Sequence, residues 1–139
     1  MLEKERIGGL GMGMTPTQVV AIVGEPTLKE GPTGNAAMGG EDWMWNFQGQ
    51  GLELGFWSET GWGAAKLNAI TITVGNRLKT RFGIAVGSTE ADAKKAYGPC
   101  LSKDDNEPGQ IVAGSVYGGV IITTENGFVT SIFVGAAAE

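Results

Sequence analysis

Four tryptophans, Trp43, Trp45, Trp57 and Trp62, crowd one stretch of the chain beside Phe47 and Phe56. The chemistry such residues do when exposed is recognition, because Trp and Tyr are the usual anchors of protein interfaces. Strand alternation puts Trp43, Trp45 and Phe47 on one face and Met44, Asn46 and Gln48 on the other. In the next extended stretch Leu52, Leu54 and Phe56 share a face, opposite Glu53 and Trp57. The leucine face is core. For Trp43 and Trp45 two placements stand, packing under a helix or forming an exposed platform, and packing is the more ordinary. Trp57 shares its face with Glu53, and Trp62 follows a Gly-containing turn, so exposure is expected for both. Tyr117 is the candidate counterpart further along, with either placement open.

Reactive chemistry finds little to work with. The chain has no His, which removes Ser-His and Cys-His nucleophile pairs, an imidazole base and histidine metal ligands. The single Cys100 cannot form an intrachain disulfide or a two-cysteine half-site for zinc, and reads as a packed small hydrophobe. Carboxylate chemistry would fall to Glu53, Asp104 or Asp105, but their spacing places no acid–base pair. The run Lys103-Asp-Asp-Asn-Glu-Pro-Gly109 lacks calcium-loop spacing. It is a solvated loop or an acidic contact for a basic partner. Gly8-Gly-Leu-Gly-Met-Gly13 lacks the last glycine of a dinucleotide fingerprint, since Met14 stands there. No catalytic residue, cofactor or metal is expected. The candidate partner-binding set is Trp43, Trp45, Glu53, Trp57, Trp62, Asp104, Asp105 and Tyr117.

These residues sit in a chain of 139, long enough for one compact domain or two very small ones. Glycine supplies 24 positions, against a usual share of ~7%, and at that density long helices are disfavoured. Short strands and many turns are expected. The net charge of −5 opposes binding to a phosphate backbone. It is unevenly spread: residues 25–63 hold six acids and one Lys, residues 66–95 six bases and two acids, and residues 103–139 five acids and one Lys. No apolar run approaches the ~20 residues of a membrane span. The N-terminal MLEKERIGG has no apolar signal-peptide core, so the chain reads as cytoplasmic, or periplasmic if a leader has been removed.

The elements that position the aromatics repeat. Gly9-Leu-Gly-Met-Gly-Met-Thr-Pro-Thr-Gln-Val-Val-Ala-Ile-Val-Gly24 aligns with Gly83-Ile-Ala-Val-Gly-Ser-Thr-Glu-Ala-Asp-Ala-Lys-Lys-Ala-Tyr-Gly98. Gly9/Gly83, Gly13/Gly87, Thr15/Thr89 and Gly24/Gly98 coincide. Thr15, Pro16 and Gln18 form a helix start with a capping box, and Thr89, Glu90 and Asp92 form another. Val19, Val20, Ile22 and Val23 predict a wide apolar face on the first helix, whereas Ala93, Ala96 and Tyr97 make a thinner one. Gly24 and Gly98 are expected to end the helices as left-handed residues, with Pro26 and Pro99 beyond. Strands are predicted over 42–48, 52–57 and 67–74, then over 111–117, 120–124 and 128–134. Glu125-Asn126-Gly127 is the strongest hairpin turn. The glycine-rich 31–40 stretch reads as a loop.

Gly13-Met14-Thr15, Gln18-Val19, Val23-Gly24-Glu25-Pro26-Thr27 and the degenerate Gly87-Ser88-Thr89 to Gly98 copy resemble a known repeat. It is that of the superfamily shared by β-lactamase inhibitor protein and the small outer-membrane lipoprotein of the barrel-assembly machinery. The resemblance runs from about residue 7 to 135 and implies an α+β fold. Two tandem repeats, over 1–76 and 77–139, would each pack a short helix on three or four antiparallel strands. They would form one sheet whose concave side is free to grip another protein. A lone mid-chain Cys100 carries over neither the inhibitor's disulfides nor the lipoprotein's acylated N-terminus.

The expectation is a non-enzymatic inhibitor of the immunity type that occludes a partner toxin or hydrolase through its concave sheet face, the acidic charge suiting a basic partner. The rival class is a structural envelope or assembly module of the lipoprotein type. An unusual small-ligand carrier with an aromatic pocket is a third. Nucleic acid is not an expected partner.

Overall fold

A computed structural model describes residues 6–7, 9–34, 39–47, 49–75, 78–80, 83–97, 109–115 and 118–135. Two-residue strands β1 (Arg6–Ile7) and β2 (Leu10–Gly11) make a small ribbon before helix α1 (Pro16–Val23). Four strands follow: β3 (Leu28–Gly34), β4 (Glu41–Phe47), β5 (Leu52–Ser58) and β6 (Lys66–Thr73). A 3-10 turn over Trp62–Ala64 interrupts the connection between β5 and β6. Helix α2 (Glu90–Tyr97) precedes β7 (Gln110–Ser115), β8 (Gly118–Glu125) and β9 (Phe128–Gly135). The last seven strands form one antiparallel sheet in the order β3-β4-β5-β6-β9-β8-β7. The fold is thus α+β, a single sheet with two short helices.

Alternation builds the core directly. Trp45, Leu54, Ile70, Val134, Val120 and Ala113 are successive cross-strand partners, and so are Phe47, Leu52, Ile72, Ile132, Ile122 and Ile111. All twelve are buried, on the face where the helices lie. Each directly opposed apolar pair contributes roughly 0.2–1 kcal/mol, so two rows crossing six strands are the main cohesive feature. On the reverse face another row runs Asn46, Glu53, Thr71, Phe133, Ile121, Val112. It changes from polar to apolar along its length, and Val112 and Ile121 are buried there, outside the helix-side core.

Short helices need help at their ends. The Gln18 amide donates to Thr15 Oγ1 at 3.2 Å, and the Thr15 amide donates to Gln18 Oε1 at 2.9 Å, completing a capping box. The Asp92 amide donates to Thr89 Oγ1 at 3.1 Å at the start of α2. Glu90 pairs with Lys94 at 3.3 Å along the exposed side of α2. Matching bonds tie each helix-entry loop to the sheet. The Gly13 amide donates to the Leu67 carbonyl and the Leu67 amide to Met14, both at 2.8 Å. The Gly87 amide donates to Val129 and the Val129 amide to Ser88, again both at 2.8 Å.

Three expectations need correction. The apolar face of α1 is narrow: Val19 is buried, Val20 and Val23 are partly so, and Ile22 is exposed. Val19 alone of its residues is turned squarely to the sheet, and Ile22 instead lies at the side, against Gly9. Gly24 does take a positive φ of 85°, but with ψ of −170° it leaves the helix extended, outside the left-handed helical well; Gly98 lies outside the described residues. The 31–40 loop begins as strand, because Leu28–Gly34 pairs with β4. Every residue of that strand is exposed. As an edge strand it tolerates Pro32, whose missing amide a central strand would need.

Candidate functional site

The aromatic cluster is assembled by one turn. The Ser58 hydroxyl, buried at the end of β5, accepts from the Thr60 and Gly61 amides, each at 3.1 Å. Gly61 then takes a φ of 119° and starts the 3-10 turn, closed by the Ala64 amide on Gly61 and the Ala65 amide on Trp62. This folds Trp62 back over the helix-side face of β4 and β5. Its ring lies 5.2 Å from Trp43, 5.7 Å from Trp45 and 5.7 Å from Phe56. Trp45 and Phe56 are 4.7 Å apart beneath it. Tilted and edge-on contacts at these spacings are the favourable ones for aromatic rings.

Exposure separates the cluster into floor and rim. Trp45 is 3% exposed and Phe56 fully buried, whereas Trp62 keeps 41% of its surface open. Trp43 is half-buried. Packing is therefore the outcome for Trp45, and exposure for Trp62. Between this cluster and the first turn of α1 runs a groove of about 280 Å³, lined by Pro16, Thr17, Val20, Glu25, Lys29, Trp45 and Trp62. Lys29, which lines it from β3, has Nζ 5.0 Å from the centre of the Trp45 ring and 3.2 Å from Glu25 Oε2.

The remaining candidates are elsewhere. Trp57 pairs with Asp42 and Lys66 on the reverse face, and its indole N–H donates to the Gly39 carbonyl at 2.7 Å. It is half-buried rather than open, because that bond holds it against the turn before β4. Glu53 shares the reverse face and lines a second cavity of about 340 Å³ at the turn from β4 into β5, with Asn46, Gly49, Gly51, Thr71 and Thr73 among its other lining residues. That cavity is the larger, but glycines and threonines leave it without an exposed aromatic anchor. Asp104, Asp105 and Tyr117 lie outside the described residues, as do Cys100 and the acidic 103–108 run. Of the two placements open for Trp43 and Trp45, the one toward the helices is found. Trp43, Trp45 and Trp62 meet on the helix side, since Trp45 stands in register with Leu54 and Ile70 of the core rows.

Residue reading alone missed three contributors, Ser58, Lys29 and Glu25. Ser58 did carry a signal, as the first residue of a Ser-Glu-Thr-Gly turn whose hydroxyl can accept from following amides. Lys29 and Glu25 carried none, since their place depends on the unrecognised edge strand.

Among the described residues no three His, Cys, Asp or Glu side chains gather as a metal site, and no helix is long and apolar enough to cross a membrane. The chain matches no protein-family model, no curated protein and no solved structure.

Proposed function

We propose that this chain is a non-enzymatic protein-binding inhibitor, of the immunity type, which occludes a partner toxin or hydrolase. The observation that carries the reading is Trp62, 41% exposed yet braced on three aromatic rings at the rim of a groove. A rigid, half-open tryptophan of this kind suits the centre of an interface, where a few aromatic anchors supply most of the binding energy. Trp43 extends the same surface. The acidic excess over residues 25–63 would steer a cationic partner toward it.

The same reading takes the architecture as two tandem units, over 1–76 and 77–139. Its support is the matched pair of loop-to-strand bonds, at Gly13 and Met14 on Leu67 and at Gly87 and Ser88 on Val129. Further support comes from β6 and β9, whose first seven positions follow the same order of exposed, half-buried and buried residues. Val19 and Ala93, equivalent in the aligned segments, are both fully buried.

Capture from the native lysate with the wild-type chain and with Trp62→Ala as baits tests the function. A partner held by the wild type should be lost at least tenfold by the variant, and its activity should fall on stoichiometric addition of the wild-type chain. Equal retention by both baits, or a bound partner whose activity is untouched, would overturn the proposal.

A further inference from the structure

We infer that the groove between α1 and the tryptophans is a receptor for a cationic side chain, an arginine or lysine presented by a basic partner protein. This inference rests on the protein-binding reading and names what that surface recognises. Lys29 already shows the arrangement from within the chain. Its ammonium stands 5.0 Å from the centre of the Trp45 ring and 3.2 Å from the Glu25 carboxylate. A ring face, a second ring at Trp62 and a carboxylate together form the kind of setting that attracts a cation.

Lys29 is a weak occupant. Its side chain is 56% exposed and that of Glu25 66%, so their ion pair is held in water and easily exchanged. It comes from an edge strand whose every residue is exposed. The groove, about 280 Å³, is lined also by Pro16, Thr17 and Val20 of α1. An incoming guanidinium can stack flat on an indole and bond a carboxylate through two N–H groups, which an ammonium cannot do. Arginine is therefore the preferred occupant, displacing Lys29 from Trp45 and taking Glu25. The acidic balance of residues 25–63 favours the approach of such a partner and disfavours an acidic one.

Capped Gly-Gly-Arg-Gly-Gly peptide, its lysine counterpart and its citrulline counterpart, added to the folded full chain, provide the test. The readout is the indole N–H resonances of the four tryptophans. The arginine peptide should shift the Trp45 and Trp62 signals saturably and leave Trp57 in place, and the lysine peptide should do so more weakly. The uncharged citrulline peptide should shift neither. Lys29→Ala should tighten arginine-peptide binding at least threefold, while Glu25→Gln and Trp62→Ala should weaken it by a similar factor. All three changes lie at exposed positions, and an unchanged pattern of core amide signals would verify the fold. Equal shifts from arginine and citrulline, or Lys29→Ala binding no tighter than wild type, would overturn the inference. If Trp62→Ala releases a captured partner while the arginine peptide moves no indole signal, the cation receptor falls and the protein-binding reading stands. If the peptide binds as expected while capture ignores Trp62, the outcome is the reverse.

Discussion

The Ser58 hydroxyl satisfies two consecutive amides, those of Thr60 and Gly61, and so decides where Trp62 stands. Its removal would leave both donors without that acceptor in a half-buried turn. Ser58→Ala is expected to lower unfolding stability by about 1 kcal/mol in urea titration, the usual scale for a lost hydrogen bond. Tryptophan emission should also shift to the red at zero denaturant as Trp62 leaves its stack. Trp57 has a different job, with its N–H bonded to Gly39. Its place on one face with Glu53 was legible from the residues alone, but the bond was not, because it joins β5 to the turn before β4, eighteen positions away. Trp45 could be put on a face from sequence, yet whether that face met a helix depended on the register with β5 and β6. Pairing at that distance leaves no mark on local composition.

Among the elements, the edge strand β3 buries no side chain and carries a tight steric requirement. Gly31 takes a φ of 115°, and a Cβ there would lie 2.7 Å from the Asp42 carbonyl oxygen and 2.9 Å from Trp43 Cδ1. Gly31→Ala is therefore expected to strip β3 from β4. Amide hydrogen exchange should rise across 28–34 and 41–46, while protection in β5, β6, β8 and β9 holds, as local opening predicts. Elements with strong local signals were legible in the sequence. The Asn126-Gly127 turn has positive φ at both residues, 54° and 82°, and joins β8 to β9 where Glu125 meets Phe128. The capping residues Thr15 and Thr89 sit as their spacing implied. β3 was illegible because Leu-Lys-Glu-Gly-Pro-Thr-Gly has no alternation: an edge strand with no buried side chain experiences no pressure for one. With it went the only local clue to Lys29.

At the scale of the molecule, the two buried rows run without a break from β4 to β7 through the β6–β9 pair. Ile132 lies between Ile72 and Ile122 at the middle of one row. Ile132→Ala should cost about 2–5 kcal/mol. Thermal unfolding followed by tryptophan fluorescence, which reports on residues 43–62, and by far-ultraviolet dichroism should still give coincident transitions at a lower midpoint. Separate transitions would mean that the rows do not couple the sheet. After Gly75 the chain leaves β6 for the far edge of the sheet, and among the described residues β6 and β9 pair at four positions, Ile70–Val134 to Thr73–Ser131, with Ile7 adding a bridge to Thr80. A chain severed between Gly75 and Leu78 would therefore yield two fragments, each carrying its own helix and its own run of adjacent antiparallel strands. Co-expressed, they should reassemble by edge-to-edge annealing, giving a split reporter whose signal depends on a single strand seam and fails when Ile72 or Ile132 is made charged.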